Sequence, residues 1–177
     1  MAATTGGQYV RRPARLGTLV TAAALTLALP GMASAQPAGC TLTPDERNPS
    51  EKILRCGDDL TLRSAPGTQY KLITKGPPLP SGAELNSGAL LIEGTHDFQI
   101  LTPLATAAVR GTKWAVQVAP RQTSALVLSG VVEVTRGRQK VSLRAGEGVD
   151  VSPGNGPLAV KRWKPKRVKA LLARFGQ

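Results

Sequence analysis

The most informative segment of this 177-residue chain is Ile100-Leu101-Thr102-Pro103-Leu104-Ala105-Thr106-Ala107-Ala108-Val109-Arg110-Gly111-Thr112-Lys113-Trp114. Short runs of apolar and small residues on both sides of Gly111 are typical of two β-strands, because glycine adopts a positive φ at no steric cost in the turn between them. Pro103 is expected at the start of a strand, where a missing N–H does least harm. The segment therefore predicts paired strands over Thr106–Arg110 and Lys113–Val118.

The same pattern extends in both directions. Beyond Trp114, alternation with Val116 and Val118 puts one apolar face inward. Glycine or proline ends each short run, a spacing that favours a sandwich, jelly roll or β-roll over a fold with crossover helices. Further strands are predicted at Leu60–Arg63, Tyr70–Ile73, Ala89–Glu93, Asp97–Leu101, Ser124–Leu128, Val131–Thr135, Lys140–Leu143 and Gly148–Val151.

Three pieces of this half resemble the FecR domain family. The first is Thr102-Pro103 followed by Val109-Arg110-Gly111-Thr112 and the aromatic Trp114. The second is the hydrophobic hairpin over 125–134, and the third is the glycine turn over 141–149. The resemblance, over 88–153, implies an all-β domain of jelly-roll or β-roll type. We expect the motif residues to be architectural. Arg110 is expected to pair locally with an acid or with carbonyls at a strand end, because a buried arginine needs hydrogen-bonding partners.

The best-known FecR-like proteins span the inner membrane and relay receptor occupancy to a cytoplasmic sigma factor. This sequence departs from them, with only 15 residues before its apolar run and no receptor-contacting domain recognisable after residue 160. The resemblance therefore implies a sensing or interaction domain rather than a transmembrane relay.

The first 35 residues have the layout of a signal peptide. Arg11, Arg12 and Arg15 precede an apolar run over 16–29, and Ala33-Ser34-Ala35 provides small residues for cleavage. The run is shorter than the roughly 20 residues that a membrane-spanning helix needs. We expect a periplasmic or secreted protein without a membrane span after cleavage, exported by the general or the twin-arginine route.

Cys40 and Cys56 are the only two cysteines. In an oxidising compartment they predict one disulfide that closes a short N-terminal loop and staples an irregular arm over 36–50 to the rest of the domain. Lipid attachment at Cys40, after Ala38-Gly39, is the main alternative. A zinc site would need carboxylates besides the cysteines and His96.

Positive charge is concentrated at the C-terminus. The net charge is +12, and residues 161–177 contain seven cations and no acid. Pro165 suits a first helical turn, and Val168, Leu171, Leu172 and Phe175 follow as one apolar stripe, which predicts a short amphipathic helix docked on the β core. Lys164, Lys166, Arg167 and Lys169 are the candidate residues for binding a partner, either an envelope protein or an anionic partner such as a membrane surface or an envelope polymer. Export argues against a nucleic acid partner.

The chain is predicted to consist of a signal peptide (1–35), a disulfide-stapled β segment (36–87), the FecR-like domain (88–160) and a basic helix (161–177). We expect no enzyme and no cofactor, because no nucleophile, metal site or phosphate loop is recognisable. Two alternatives stay open: a small hydrolase or metal-binding protein that uses His96 with Glu93 and Asp97, and a purely structural scaffold.

Overall fold

The computed structural model describes residues 1–2, 39–75, 79–109 and 111–177. The predicted signal peptide, Arg110 and the prolines at 77 and 78 lie outside these ranges, apart from Met1 and Ala2. Strands make up 56% of the described part, and its one helical segment has 11 residues near the C-terminus. The predicted all-β class with a short C-terminal helix is confirmed.

The described strands are β1 (Cys40–Pro44), β2 (Lys52–Cys56), β3 (Leu60–Ser64), β4 (Gln69–Ile73), β5 (Gly82–Gly94), β6 (Phe98–Leu101), β7 (Thr106–Val109), β8 (Thr112–Ala119), β9 (Gln122–Ser129), β10 (Val131–Arg136), β11 (Gln139–Arg144), β12 (Glu147–Val151) and β13 (Val160–Arg162). They are followed by helix α1 (Pro165–Leu172) and a 3-10 turn, Ala173–Phe175. All of them lie within residues 35–177, which form one compact unit.

The strands form two layers that share β5. Sheet A has the order β1-β2-β3-β5-β8-β9-β12-β13, and sheet B has the order β4-β5-β6-β7-β10-β11. Neighbours are antiparallel except β5 and β6, which run parallel. Because β5 belongs to both sheets, the layers join into a nearly closed sandwich.

Gly88 marks the point where β5 passes from one sheet to the other. Residues before it pair with β4 and β6, and residues from it onward pair with β3 and β8. Its φ is +94°, and a Cβ there would lie 2.5 Å from the hydroxyl of Thr68. That hydroxyl accepts a bond from the N–H of Ala89 and donates to its carbonyl, both at 3.1 Å. Glycine is required here by both the backbone angle and the space.

The core lies between the two sheets. Side chains of alternate strand residues fill it, because successive residues of a strand point to opposite faces. Its largest members are Leu90, Ile92 and Trp114 from sheet A, and Phe98 and Ile100 from sheet B, each at most 2% exposed.

Helix α1 packs on the outer face of sheet A as a third layer. Leu171 and Phe175 are buried against Ala65, Ala89, Leu91, Ala115 and Leu126, together with Trp163. Helix α1 begins at Pro165, the first helical position, as expected from proline's fixed φ.

Three segments differ from the sequence-based expectation. The arm was expected to be irregular, but Cys40–Pro44 forms β1, with β2 as its partner. The strand predicted at 89–93 is the second half of the longer β5. The basic segment opens with the short strand β13 before the helix begins. β1 and β13 are held by pairing with the neighbouring strand of the chain, and the first half of β5 by pairing with β4 and β6, which the pattern within one segment does not reveal.

Candidate partner-binding surfaces

The predicted disulfide is present. Cys40 and Cys56 are directly opposite in the register of β1 and β2, and their sulfurs are bonded at 2.06 Å. Cys56 is fully buried in the core. The bridge therefore ties edge strand β1 to sheet A.

Thr102 and Pro103 of the family motif form the turn between β6 and β7. The hydroxyl of Thr102 accepts a bond from the N–H of Ala105 at 3.0 Å and donates to its carbonyl. Thr123 donates to the same hydroxyl at 3.1 Å. Pro103 was expected to start a strand, and this is wrong: it lies within the turn, where its fixed φ is favourable and no ladder N–H is needed.

The second half of the motif lies between β7 and β8. Gly111 has a φ of +63°, as its place between two strands predicted. Thr112 and Trp114 are buried at the start of β8, and Val109 is half-buried at the end of β7. Arg110 is outside the described residues. Each described motif residue contributes to a turn or the core, an architectural arrangement.

Arg167 anchors α1 to sheet A. Its guanidinium donates to both carboxylate oxygens of Asp150 on β12, at 2.8 and 2.5 Å, and lies 3.4 Å from the ring centroid of Trp163. Burial alone would raise the pKa of Asp150. Hydrogen bonds from Arg167, Ser124 and Gln122 outweigh that effect and hold the pKa below its usual 3.8. We call this cluster the Asp150 clasp.

The clasp changes the interpretation of the basic segment. Lys164, Lys166 and Lys169 are exposed, whereas Arg167 is engaged in the fold. Trp163 and Phe175, the aromatic residues of the segment, are 6% and 1% exposed and so present no stacking surface. Asp150 lies in β12, within the strand predicted at Gly148–Val151, and its side chain faces the helix. The sequence signal for this position was the alternation of Asp150 with the apolar Val149 and Val151, which places the acid on the face of the strand opposite the core.

The outer face of sheet B carries an open cavity of about 560 Å³. Gln99, Ala108, Glu133 and Ser142 are successive partners across β6, β7, β10 and β11, and form a row along its floor. Val131, 52% exposed, lies at its margin. We call this surface the sheet B groove. Sequence patterns missed it because it depends on the cross-strand register.

The residues proposed for catalysis or metal binding around His96 have other contacts. Glu93 forms an ion pair with Lys113 at 3.2 Å, and Asp97 also has an interaction. Within the described ranges, there is no group of three or more histidine, cysteine or acidic side chains that could hold a metal ion.

Glu51 is a buried acid that sequence reasoning missed. Its side chain is fully buried, and within the described part of the chain neither carboxylate oxygen accepts a hydrogen bond. Arg63 lies 3.5 Å away but pairs more closely with Asp45, at 2.9 Å. Burial, and then the charge of Asp45, raise the pKa of Glu51 above its usual 4.5 against the opposing effect of Arg63.

The fold and its surfaces define a disulfide-stapled β-sandwich domain with one helix-covered face and one open face. Residues 50–133 match the model of the FecR protein family, which confirms the resemblance and is consistent with a FecR-family domain. No curated protein matches the sequence.

Two solved structures with a similar fold come from Parabacteroides distasonis, and both are described as candidate anti-sigma factors. The first has a TM-score of 0.57 and 20% identity, over 69% of this chain and 60% of that one. The second has a TM-score of 0.48 and 17% identity, over 77% and 62%. This chain therefore spans less than two thirds of either protein. The first likeness supports the sandwich fold. Among the described residues, no helix has the length and apolar character to cross a membrane.

Proposed function

We propose that this chain is a non-catalytic sensing or regulatory domain of the bacterial envelope, which acts by binding another protein. The FecR-family match over residues 50–133 carries the proposal. The anti-sigma description of the fold neighbour supports a regulatory role. Export by the predicted signal peptide would place the domain in the periplasm or outside the cell.

The sheet B groove is the surface that best suits a protein partner. Helix α1 packs on the outer face of sheet A, whereas the outer face of sheet B carries the open cavity. The groove combines an exposed apolar residue, Val131, with polar groups such as Gln99 and Ser142. Mixed composition of this kind is typical of transient protein interfaces.

Site-specific photo-crosslinking in the native host tests this function. A photoreactive residue at Val131 or Ser142 should yield adducts of one defined protein mass. The same residue at Thr41 or Leu42, exposed on β1, is the control. The double variant Val131→Arg and Ser142→Arg should abolish the adduct formed from Gln99. If the groove positions give no adduct, or the same adducts as the β1 positions, the groove is not the binding surface.

A further inference from the structure

The strongest charge feature of the surface lies on β13 and α1. Its members are Lys161, Arg162, Lys164, Lys166 and Lys169, all exposed, and residues 161–177 contain no acid. We call these five residues the basic face. Lys161 and Arg162 are successive residues of β13 and point to opposite sides of it, so only one of them can share a surface with Lys164, Lys166 and Lys169. The chain from 36 to 160 has a net charge of only +2, so the charge is localised rather than spread over the molecule.

Helix α1, which carries Lys166 and Lys169 and begins directly after Lys164, is docked on sheet A. Its apolar stripe is buried on sheet A through Leu171 and Phe175, and the Asp150 clasp fixes its first turn. The apolar stripe is therefore unavailable for insertion into a bilayer. Any partner of the basic face must be held by charge alone.

The kind of cation indicates the kind of anion. Four of the five groups are lysines, compact point charges on flexible stems, whereas bidentate recognition of a carboxylate uses the planar fork of arginine. The fork of Arg167 is already occupied by Asp150. The five cations lie on edge strand β13, on α1 and at Lys164 between them, and none of them lines the sheet B groove. Exposed point charges distributed along such a segment suit an extended anionic surface better than a single acidic peptide.

We propose that the basic face rests on the phosphate headgroups of an anionic phospholipid membrane. Helix α1 and the sheet B groove lie on the outer faces of opposite sheets. Contact through α1 would thus turn the groove away from the membrane, toward proteins. The membrane contact does not depend on which protein the groove binds, so either proposal can fail alone.

Vesicle binding of the full chain tests the proposal. The probes are phosphatidylethanolamine vesicles with and without phosphatidylglycerol. The variant Lys164→Gln, Lys166→Gln and Lys169→Gln should bind the anionic vesicles roughly 100-fold more weakly at low salt, since each lysine near such a surface contributes about 1 kcal/mol. Binding of the unchanged protein should also fall steeply as salt is raised.

A variant with the same loss of charge elsewhere is the control. Lys71, Lys75 and Arg138 are exposed and lie on β4, after it, and in the β10–β11 turn. Their replacement by Gln should change the affinity by no more than about 3-fold, because they lie outside the close contact. The apolar run at residues 16–29 would bind both kinds of vesicle. The quantity to compare is therefore the difference in affinity between vesicles with and without phosphatidylglycerol. Equal losses of affinity in the two variants would overturn the proposal, and so would equal binding to vesicles with and without phosphatidylglycerol. A protein partner that binds through the three lysines, when the vesicles do not, would overturn it as well.

Discussion

At the scale of single residues, Asp150 and Glu51 differ in how fully their carboxylates are hydrogen-bonded. Asp150 has three hydrogen-bonding partners, Arg167, Ser124 and Gln122. Glu51 is buried, and among the described residues its carboxylate accepts no hydrogen bond. The first arrangement stabilises the docked helix, and the second is unfavourable because a buried polar group lacks a hydrogen bond.

Replacement of Arg167 by Ala should loosen α1. The pair is partly exposed, so the expected loss in free energy of unfolding is only about 1 kcal/mol, from the ion pair and the ring contact together. Lys166→Ala, a neighbouring exposed cation, should change stability by less than about 0.5 kcal/mol. Urea unfolding measures both. Since the pKa of Asp150 is lowered in the folded state, the difference should be present above pH 3.8 and disappear as the pH falls through the folded pKa. Equal stability of the two variants would contradict the clasp.

Replacement of Glu51 by Gln should stabilise the protein at neutral pH, by about 1 kcal/mol, because a buried charge is removed. The pKa of Glu51 is raised in the folded state, so its favourable contribution is complete below pH 4.5 and is lost as the pH rises through the folded pKa. The stability of the natural protein should therefore fall over that range relative to the variant. Urea unfolding of both proteins between pH 4 and pH 8 gives the comparison. Glu84→Gln, an exposed acid on β5, should show no such difference.

At the scale of elements, α1 is stable only by docking. An isolated helix of this length is marginal in water, so burial of its apolar stripe must hold it. Sequence periodicity found that stripe correctly, because a period near 3.6 is a local property. It also found most of the second-half strands, from Asp97 to Val151. It missed β1, β2, β13 and the groove, because these depend on strand pairing and cross-strand register, which the periodicity of a single segment does not reveal.

Replacement of Leu171 by Ala should release the helix without unfolding the sandwich. Loss of a buried leucine side chain costs about 2 to 3 kcal/mol, more than a short helix supplies on its own. Hydrogen exchange should then increase in residues 165–175 and at Leu91 and Leu126, while β6 and β7 stay protected. Ala170→Ser, on the exposed side, is the control. Protection of α1 retained in Leu171→Ala would show that docking does not depend on this stripe.

The disulfide should stabilise the N-terminal hairpin. Closing a loop with a sequence separation of 16 residues is worth about 3 kcal/mol in the chain-entropy model. Replacement of both cysteines by serine, or reduction by dithiothreitol, should lower the free energy of unfolding by that amount. Dithiothreitol should have no effect on the double variant. A lipid on Cys40 would appear in the intact mass and would contradict the bridge.

At the scale of the whole molecule, the family match and the folding unit differ in extent. The match ends at residue 133, in the middle of β10, whereas the sandwich continues through β11 and β12. Leu143 and Val149 from these strands are at most 1% exposed in the shared core. Strands β11 and β12 are therefore part of the same hydrophobic core.

Two truncations follow from this arrangement. A chain that ends at residue 133 should not unfold cooperatively, because it lacks half of β10 and every strand after it, and leaves β9 without its partner β12. A chain that ends at residue 156 keeps β1 to β12 and should fold, but it exposes Leu91 and Leu126 where α1 was docked. Near-ultraviolet circular dichroism, urea unfolding and light scattering distinguish these outcomes, and the longer chain should self-associate through its uncovered apolar face. Cooperative unfolding of the shorter chain would mean that β11 and β12 are dispensable, and that the core is smaller than the buried residues indicate.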